Sequence, residues 1–586
     1  MKKILYLIIA GAMLFSGCSK SLDREPLSQI SPDNAFNSEN ELKLYVSSFY
    51  DKMLPKSDGE DNGFYSLYTE NSDNIILTYL DDKVTGKRTV PVSGGGWNWD
   101  NLRNVNYFLQ NYQRGKLAPS VTNKYVAVAK FFRAFFYSSM VQRYGDVPWY
   151  SKVIEVTDNA ALTKARDPRT MVMDSVLNDI DFAINNLPST QSPDVINKWT
   201  ALTLKSRLCL FEGTFRKYHT EFKLPDADKF LQLAADAGAQ VIDQGPYTIY
   251  TSTPDKAYAT LFNSLTVNPG EVILAREFSA NLQIFQNVNY YAISPSFGKP
   301  GLEKRLVNSY LMKDGSRFTD IPGYQTKQFF EETQNRDPRL SQTVRTPGYK
   351  RVDGTVALAP SFGGTVTGYQ LTKFVTAQAN DALGKSPNPL PIFRYAEVLL
   401  NFAEAKAELG TLTQADLDKS VKRLRDRVAM PAMNMATANG NPDPYLAAQY
   451  THVNGANKGV ILEIRRERRI ELVMEGFRWN DLMRWKEGHL VTDQFKGEYF
   501  PGLGNYDLDG DGKTDVVIYA DTPPNVPNAQ FLKLGTDVTL ENGTAGGNIL
   551  PNSNLPKKFN EDRDYLYPLP TQDLLLNPNL KQNPNW

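Results

Sequence analysis

Four aspartates fall within nine residues in Asp507-Leu508-Asp509-Gly510-Asp511-Gly512-Lys513-Thr514-Asp515. Carboxylates at positions 1, 3, 5 and 9, with glycine at 6, follow the spacing by which a tight turn wraps oxygen donors around Ca²⁺. Position 7, Lys513, would offer its backbone carbonyl. Position 12 is Ile518, so the bidentate glutamate of an EF-hand is missing, and no helical pattern flanks the loop. The expectation is a structural Ca²⁺ loop that borrows a ligand from elsewhere. The alternative is a hydrated acidic turn, but carboxylates this close repel one another unless a cation neutralises them.

A second cluster has the chemistry of recognition. Gly94-Gly95-Gly96-Trp97-Asn98-Trp99-Asp100-Asn101 sets two indoles and several amide or carboxylate groups just after a glycine run. Indole faces stack on sugar rings and on peptide side chains, and groups such as Asn101 can bond hydroxyls. Burial of both indoles in a core is the competing reading. The glycine triplet, which suits an exposed and adaptable loop, favours at least one of Trp97 and Trp99 as a platform.

Catalytic constellations are missing. The sequence has no phosphate-binding Gly-rich loop ending in Lys-Ser/Thr, no G-x-S-x-G, no H-E-x-x-H and no C-x-x-C. Three histidines (His219, His452, His489) are too few and too scattered to suggest a triad or a three-histidine metal site. A carboxylate-pair glycosidase stays open as an alternative, because 65 acids offer many pairs and nothing marks one out. The chain reads as a non-enzyme.

The N-terminus directs export. Met1-Lys2-Lys3 precedes an apolar run over 4–15, a signal peptide too short to span a bilayer. Leu14-Phe15-Ser16-Gly17-Cys18 resembles a lipoprotein box, which makes residues 1–17 the cleaved signal and Cys18 the acylated N-terminus, carrying palmitate or a similar chain. Phe15 departs from the usual residue of that box. Residues 18–32, polar with Pro26 and Pro32, read as a tether. The only other cysteine, Cys209, lies in an apolar helical stretch, so no disulfide is expected.

The positioning elements follow from composition and periodicity. With 41% hydrophobic and 22% charged residues the body, 33–586, is a well-cored globular protein. Its 65 basic and 65 acidic residues leave no basic excess for nucleic acid. Apolar stripes predict helices over 39–53, 99–112, 123–144 (stopped by Gly145), 169–187, 200–217 and 229–244. Small residues in the last pair suggest tetratricopeptide-type stacking, although no exact period is visible. Residues 245–391 are rich in Gly, Pro, Asn and Ser, a loop-rich part with short strands. Helices return at 394–409, 413–428 and 459–486, before a loop-rich 487–562 and a Pro/Asn-rich tail. The fold class is mainly α: a tetratricopeptide-like helical-repeat scaffold with a loop-rich, irregular ligand-binding face and few short strands. Its parts are 33–244, 245–391 and 392–586.

Three C-terminal segments bring these parts together. They are Phe393-Arg394-Tyr395-Ala396-Glu397, then Ile464-Arg465-Arg466-Glu467-Arg468-Arg469-Ile470-Glu471-Leu472 running on to Phe477-Arg478-Trp479-Asn480-Asp481, and Tyr567-Pro568-Leu569-Pro570 with Asn577-Pro578-Asn579-Leu580. With Tyr144-Gly145-Asp146-Val147-Pro148, Arg336-Asp337-Pro338-Arg339 and the lipoprotein start, the chain resembles the SusD/RagB family of outer-membrane lipoproteins of Bacteroidetes. Arg and Glu at i,i+3 and i,i+4 spacing around Glu467, Glu471 and Glu475 read as ion-pair ladders that lock helices together, in preference to catalytic carboxylates.

The resemblance implies a lipid-anchored nutrient-binding protein on the cell surface, without catalysis. It would pass a glycan, or alternatively a peptide, to a SusC-like TonB-dependent barrel in the same outer membrane. It also implies an aromatic-lined pocket built from the N-terminal loop and the irregular centre. The central candidates are Tyr290, Tyr291, Phe297 and Tyr324, with Asp73, Asn74 and Arg88 as polar contacts. The rival classes are a surface glycoside hydrolase and a helical-repeat adaptor without a small ligand; the adaptor predicts both tryptophans buried.

Overall fold

The computed structural model describes residues 36–56 and 72–586. The expected signal peptide, Cys18 and the tether lie outside the described residues.

The main helices are numbered here in chain order. Helix α1, Glu39–Met53, starts where the Ser38 side chain accepts from the Glu41 N–H, and it buries Leu42, Val46 and Phe49. Acids in its first turn and Lys52 in its last complement the helix dipole. It meets α2 (Asp100–Asn111) and α3 (Pro119–Tyr144). Pro119 opens α3, and Gly145, at φ +75°, ends it as expected. Helix α4 (Arg169–Asn186) lies along α3, and α5 (Lys198–Tyr218) begins with a capping box between Asn197 and Thr200.

The helices then stack in sequence: α4 on α5, α5 on α6 (Ala227–Gln244), α6 on α7 (Tyr395–Leu409), and α7 on α8 (Lys458–Glu471). Small residues permit this. A Cβ on Gly213 of α5 would come within 2.8 Å of Leu231 on α6, and one on Gly238 within 3.1 Å of Phe402 on α7. Each helix pair buries its stripe against the next, the arrangement of a tetratricopeptide-like repeat.

Two expected helices are broken. Over 413–428 the chain forms Gln414–Lys419 and Val421–Arg427, interrupted at Ser420. Over 459–486 it forms α8 and α9 (Arg478–Arg484), because Met474 and Gly476 take left-handed backbone angles between them.

The strands are short. Strand β1 (Ile75–Ile76) pairs with β3 (Gly301–Leu302), and β2 (Val272–Arg276) pairs antiparallel with β4 (Leu390–Arg394), with Val272 opposite Arg394. Strand β5 (Tyr499–Phe500) pairs with β9 (Gly547–Asn548); β6 (Gly504–Tyr506), β7 (Val516–Tyr519) and β8 (Gln530–Lys533) make a three-stranded sheet. One hydrophobic core runs through the helical repeats and reaches the C-terminal tail at Leu580. A second gathers the central residues with β5 to β8.

The Arg/Glu ladder is buried and structural. Glu467 takes Arg339 and Arg425, and Glu471 takes Arg339, Arg394 and Arg427. Arg468 and Arg484 share Asp481, and Arg484 also holds Glu404. Burial alone would raise the Glu471 carboxyl, but the three guanidiniums outweigh it and hold the group far below the ordinary range. A carboxylate held this way is a permanent anion that ties α8 to its neighbours.

Candidate ligand cavity

A cavity of about 700 Å³ opens where α1, α3, α5 and α9 converge. Its aromatic walls are Phe135 and Phe136 of α3, Phe211 of α5 and Phe477 at the start of α9. Its amides are Asn98, Asn101, Gln142 and Asn480, and Gly94, Gly95 and Gly96 form one edge. The Phe477 ring is held between two cations, with Arg207 4.9 Å and Arg468 5.3 Å from its centroid. Arg207 is itself fixed on Glu397 at 2.6 Å and on the Ile392 carbonyl at 2.9 Å. These rings present apolar faces, and the amides present donors and acceptors whose partners a ligand can supply.

The glycine run folds as a tight turn. All three glycines have positive φ, the Trp97 N–H donates to the Gly94 carbonyl at 2.9 Å, and the Tyr144 hydroxyl donates to the Gly95 carbonyl at 2.6 Å. This turn, fastened to the end of α3, drives the indoles inward and leaves Asn98 and Asn101 at the cavity. The expectation of an indole platform is therefore corrected for Trp97, which is only 7% exposed and lies edge-on to Trp99 (5.1 Å) and Tyr144 (4.9 Å). Trp99 is half-buried against Phe136 (5.6 Å) and Tyr150 (5.5 Å), so it backs a lining ring without lining the cavity itself.

The polar candidates before this loop are corrected too. Asp73 is fully buried, with Oδ1 2.6 Å from Arg478 and Oδ2 3.0 Å from Arg469. Asn74 is also buried, its Oδ1 accepting from Arg469 at 2.7 Å. Arg88 pairs with Asp564 at 3.0 Å and stacks on Tyr567 and Trp586, tying down the tail. All three serve the scaffold. Of the central aromatics, Tyr290, Tyr291 and Phe297 form one cluster, with Tyr291 and Phe297 4.6 Å apart, on the second core. Tyr324 stands elsewhere, between Phe318 and Tyr445. None of these four lines the cavity.

In the acidic loop, carboxylate oxygens of Asp507, Asp509 and Asp511 come within 4.8 Å of one another. Backbone N–H groups of Gly510 and Gly512 donate to Asp507, which bends the loop around its first aspartate. Lys513 contributes its ammonium, 2.6 Å from Asp511, and Asp515 turns back to accept from the Leu508 N–H. The Asp515 carboxyl is raised, first by burial and then by repulsion from Asp509 and Asp507. Three convergent carboxylates fit a hard divalent cation such as Ca²⁺; Asp515 lies outside that trio.

Of the loop singled out in the sequence, the glycine turn, Asn98 and Asn101 do reach the cavity, whereas its aromatic walls are not legible there. Phe135 and Phe136 belong to a helix that is apolar on most sides, where stripe position cannot separate a core face from a cavity face. Phe477 and Asn480 fall where the periodicity predicts one helix over 459–486, which the turn before α9 interrupts.

Stacked helical repeats around an aromatic and amide-lined cavity, with the charged pairs of the ladder committed to the scaffold, define a helical-repeat protein with a candidate ligand cavity. The chain belongs to the SusD family: that family's profile matches residues 271–586, and a second, described as starch-binding associating with outer membrane, matches residues 89–202. It is similar to SusD-like protein P38 of Formosa agariphila, 23% identical over 527 residues that cover 84% of this chain and 93% of the relative. SusD-like protein P2 of the same organism is also 23% identical, over 100% of this chain and 99% of the relative. Among solved structures, a SusD-like protein of Bacteroides fragilis superposes with TM-score 0.68 at 21% identity, covering 96% of this chain and 100% of that one. A SusD-like carbohydrate-binding protein of the same species gives TM-score 0.66 at 21% identity, over 93% and 99%.

Proposed function

We propose that this protein captures a glycan in the cavity between α1, α3, α5 and α9 and hands it, unchanged, to a SusC-like TonB-dependent transporter in the outer membrane. The observation that carries the reading is the pairing of four aromatic rings with four amides around one cavity of about 700 Å³. Sugar rings offer an apolar face to Phe136 or Phe477 and hydroxyls to Asn98, Asn101 and Asn480. The family supports the same reading, since a solved relative is described as carbohydrate-binding.

Two acids, Glu475 and Asp481, line the cavity. Burial alone would raise Glu475, but Arg394 and Lys373 outweigh it and hold the carboxyl below its ordinary value. Asp481 is committed to Arg468 and Arg484. Glycoside hydrolysis needs one carboxyl kept protonated near neutrality, and the surroundings of Glu475 oppose that. Cys18, acylated, would anchor the body to the membrane, and the acidic loop would hold a structural Ca²⁺. Among the described residues no helix is long and apolar enough to cross a membrane.

Calorimetric titration with a panel of oligosaccharides tests the capture step. At least one is expected to bind without release of reducing ends, and Phe136→Ala is expected to weaken it about tenfold or more. Absence of binding across the panel, or turnover of a bound sugar, would contradict the reading.

A further inference from the structure

The cations on the cavity wall are not equivalent. Arg207 is neutralised by Glu397, Arg468 by Asp481, and Arg484 by Glu404 and Asp481. Lys56 lies 3.5 Å from Asp51. The wall's two acids are spoken for, Glu475 by Arg394 and Lys373 and Asp481 by the two arginines just named. Arg143 has no hydrogen-bond acceptor and no carboxylate partner among the described residues, and Lys52 shares the wall with it, also without an acid.

Arg143 is nevertheless a built group. Its Cζ lies 4.3 Å from the centre of the Tyr567 ring, which comes from the far end of the chain and whose N–H donates to the Arg143 carbonyl at 2.8 Å. The glycine turn closes on the guanidinium as well: a Cβ on Gly96 would come 2.8 Å from Cζ and 3.1 Å from Nη1. Its Nε is buried with no partner. Asp564, whose partner Arg88 stacks on the same Tyr567 ring, is already taken by Arg88 at 3.0 Å and Arg563 at 2.9 Å.

A half-buried guanidinium clamped in orientation, with its Nε sealed from solvent and no anion beside it, is a costly arrangement for a scaffold, because a desolvated donor without a partner costs stability. Its planar fork of donors matches a carboxylate or a sulfate, both of which accept two parallel N–H bonds. We propose that the glycan taken by this cavity is acidic, and that its carboxylate or sulfate oxygens pair with Arg143, with Lys52 adding positive charge at the same wall. The proposal rests on the glycan-capture reading above. The aromatic rings would hold the sugar faces, and Arg143 would set the register of the chain by its charged substituent.

The test uses the full chain from residue 18 onward on an array of oligogalacturonate, oligoalginate and κ-carrageenan oligosaccharides, with malto- and xylo-oligosaccharides as the neutral set. Calorimetry then compares the tightest binder with its uncharged twin, the methyl ester for a uronate or the desulfated form for a sulfated sugar. The expected result is an acidic binder at least tenfold tighter than its twin, an advantage that Arg143→Gln removes and Arg143→Lys keeps in part. Which acidic arm binds separates carboxylate from sulfate. Thermal melting checks that the variants fold. If Arg143→Gln does not, the wild type still gives a reading, since an ion pair to the ligand must weaken as NaCl rises. A neutral sugar as the tightest binder, equal affinity for charged and uncharged twins, or affinity indifferent to salt would overturn the proposal and leave glycan capture standing. Binding to no sugar on the array would remove both.

Discussion

The Nε of Arg478 stands 2.6 Å from Oδ1 of Asp73, a contact between residues 405 positions apart. Arg469 takes the other oxygen, so one aspartate from the N-terminal part fastens two arginines on either side of the turn between α8 and α9. That turn ends at Phe477 and therefore places a wall of the cavity. Asp73 is thus a keystone of the site's frame without touching what the site would hold.

Asp73→Ala should cost about 3–5 kcal/mol of stability at neutral pH, because it leaves two buried guanidiniums uncompensated. Chemical denaturation measures this. The pH dependence has a definite sign. Burial alone would raise the Asp73 carboxyl, but Arg469 and Arg478 hold it far below the ordinary range. Its contribution is therefore present above a pH of about 4, the ordinary aspartate value, and is lost as pH falls toward the depressed one. Wild type should lose stability steeply in that acid range, and Asp73→Ala should show a shallower loss.

Glu498 behaves in the opposite sense. It is fully buried, neither carboxylate oxygen has a hydrogen-bond partner, and Gly368 presses on it so closely that a Cβ there would meet Cδ at 2.4 Å. Burial first, then repulsion from Glu332, keeps this carboxyl protonated well above its ordinary value, against a smaller opposing pull from Lys304. Its favourable contribution is complete below about pH 4.3 and is lost as pH rises through the raised value. Glu498→Gln should accordingly match wild type in Tm near pH 4 and exceed it at pH 8. Equal Tm values at both would show that the group ionises freely.

Trp97→Ala should unfold early, with a loss of about 3–5 kcal/mol, since it empties a packed aromatic site. Ligand affinity of the folded fraction should change little. A stable variant with weakened binding would restore the indole as a platform.

Much of the scaffold was legible in the sequence because a buried helix face leaves a 3.6-residue stripe. The boundaries of α1 were readable from Ser38 and the acids after it, and the end of α3 from Gly145. The break at Gly476 was not readable, because Arg and Glu continue their spacing across it while their partners sit on other elements. The site was less legible for the same reason. Polar residues in loops, such as Asp73 and Arg88, look available for ligand until their partners, hundreds of residues away, are known. Arg143 is one polar residue in the last turn of α3, and only the fold shows that Tyr567 and Gly96 clamp it where no acid reaches.

Removal of divalent cations should lower Tm if the trio Asp507, Asp509 and Asp511 holds Ca²⁺, because a ligand bound only to the native state stabilises it by mass action. Asp509→Ala should abolish the difference between chelator and excess Ca²⁺. Identical melting curves in wild type would reduce the loop to an acidic turn.

The proposed binding place is the cavity between α1, α3, α5 and α9. A crystal structure of the chain with its tightest-binding oligosaccharide tests it directly. Sugar rings are expected against Phe136, Phe211 or Phe477, with hydroxyls at Asn98 or Asn101. Sugar resting instead on the Tyr290, Tyr291 and Phe297 cluster, with the cavity empty, would contradict it.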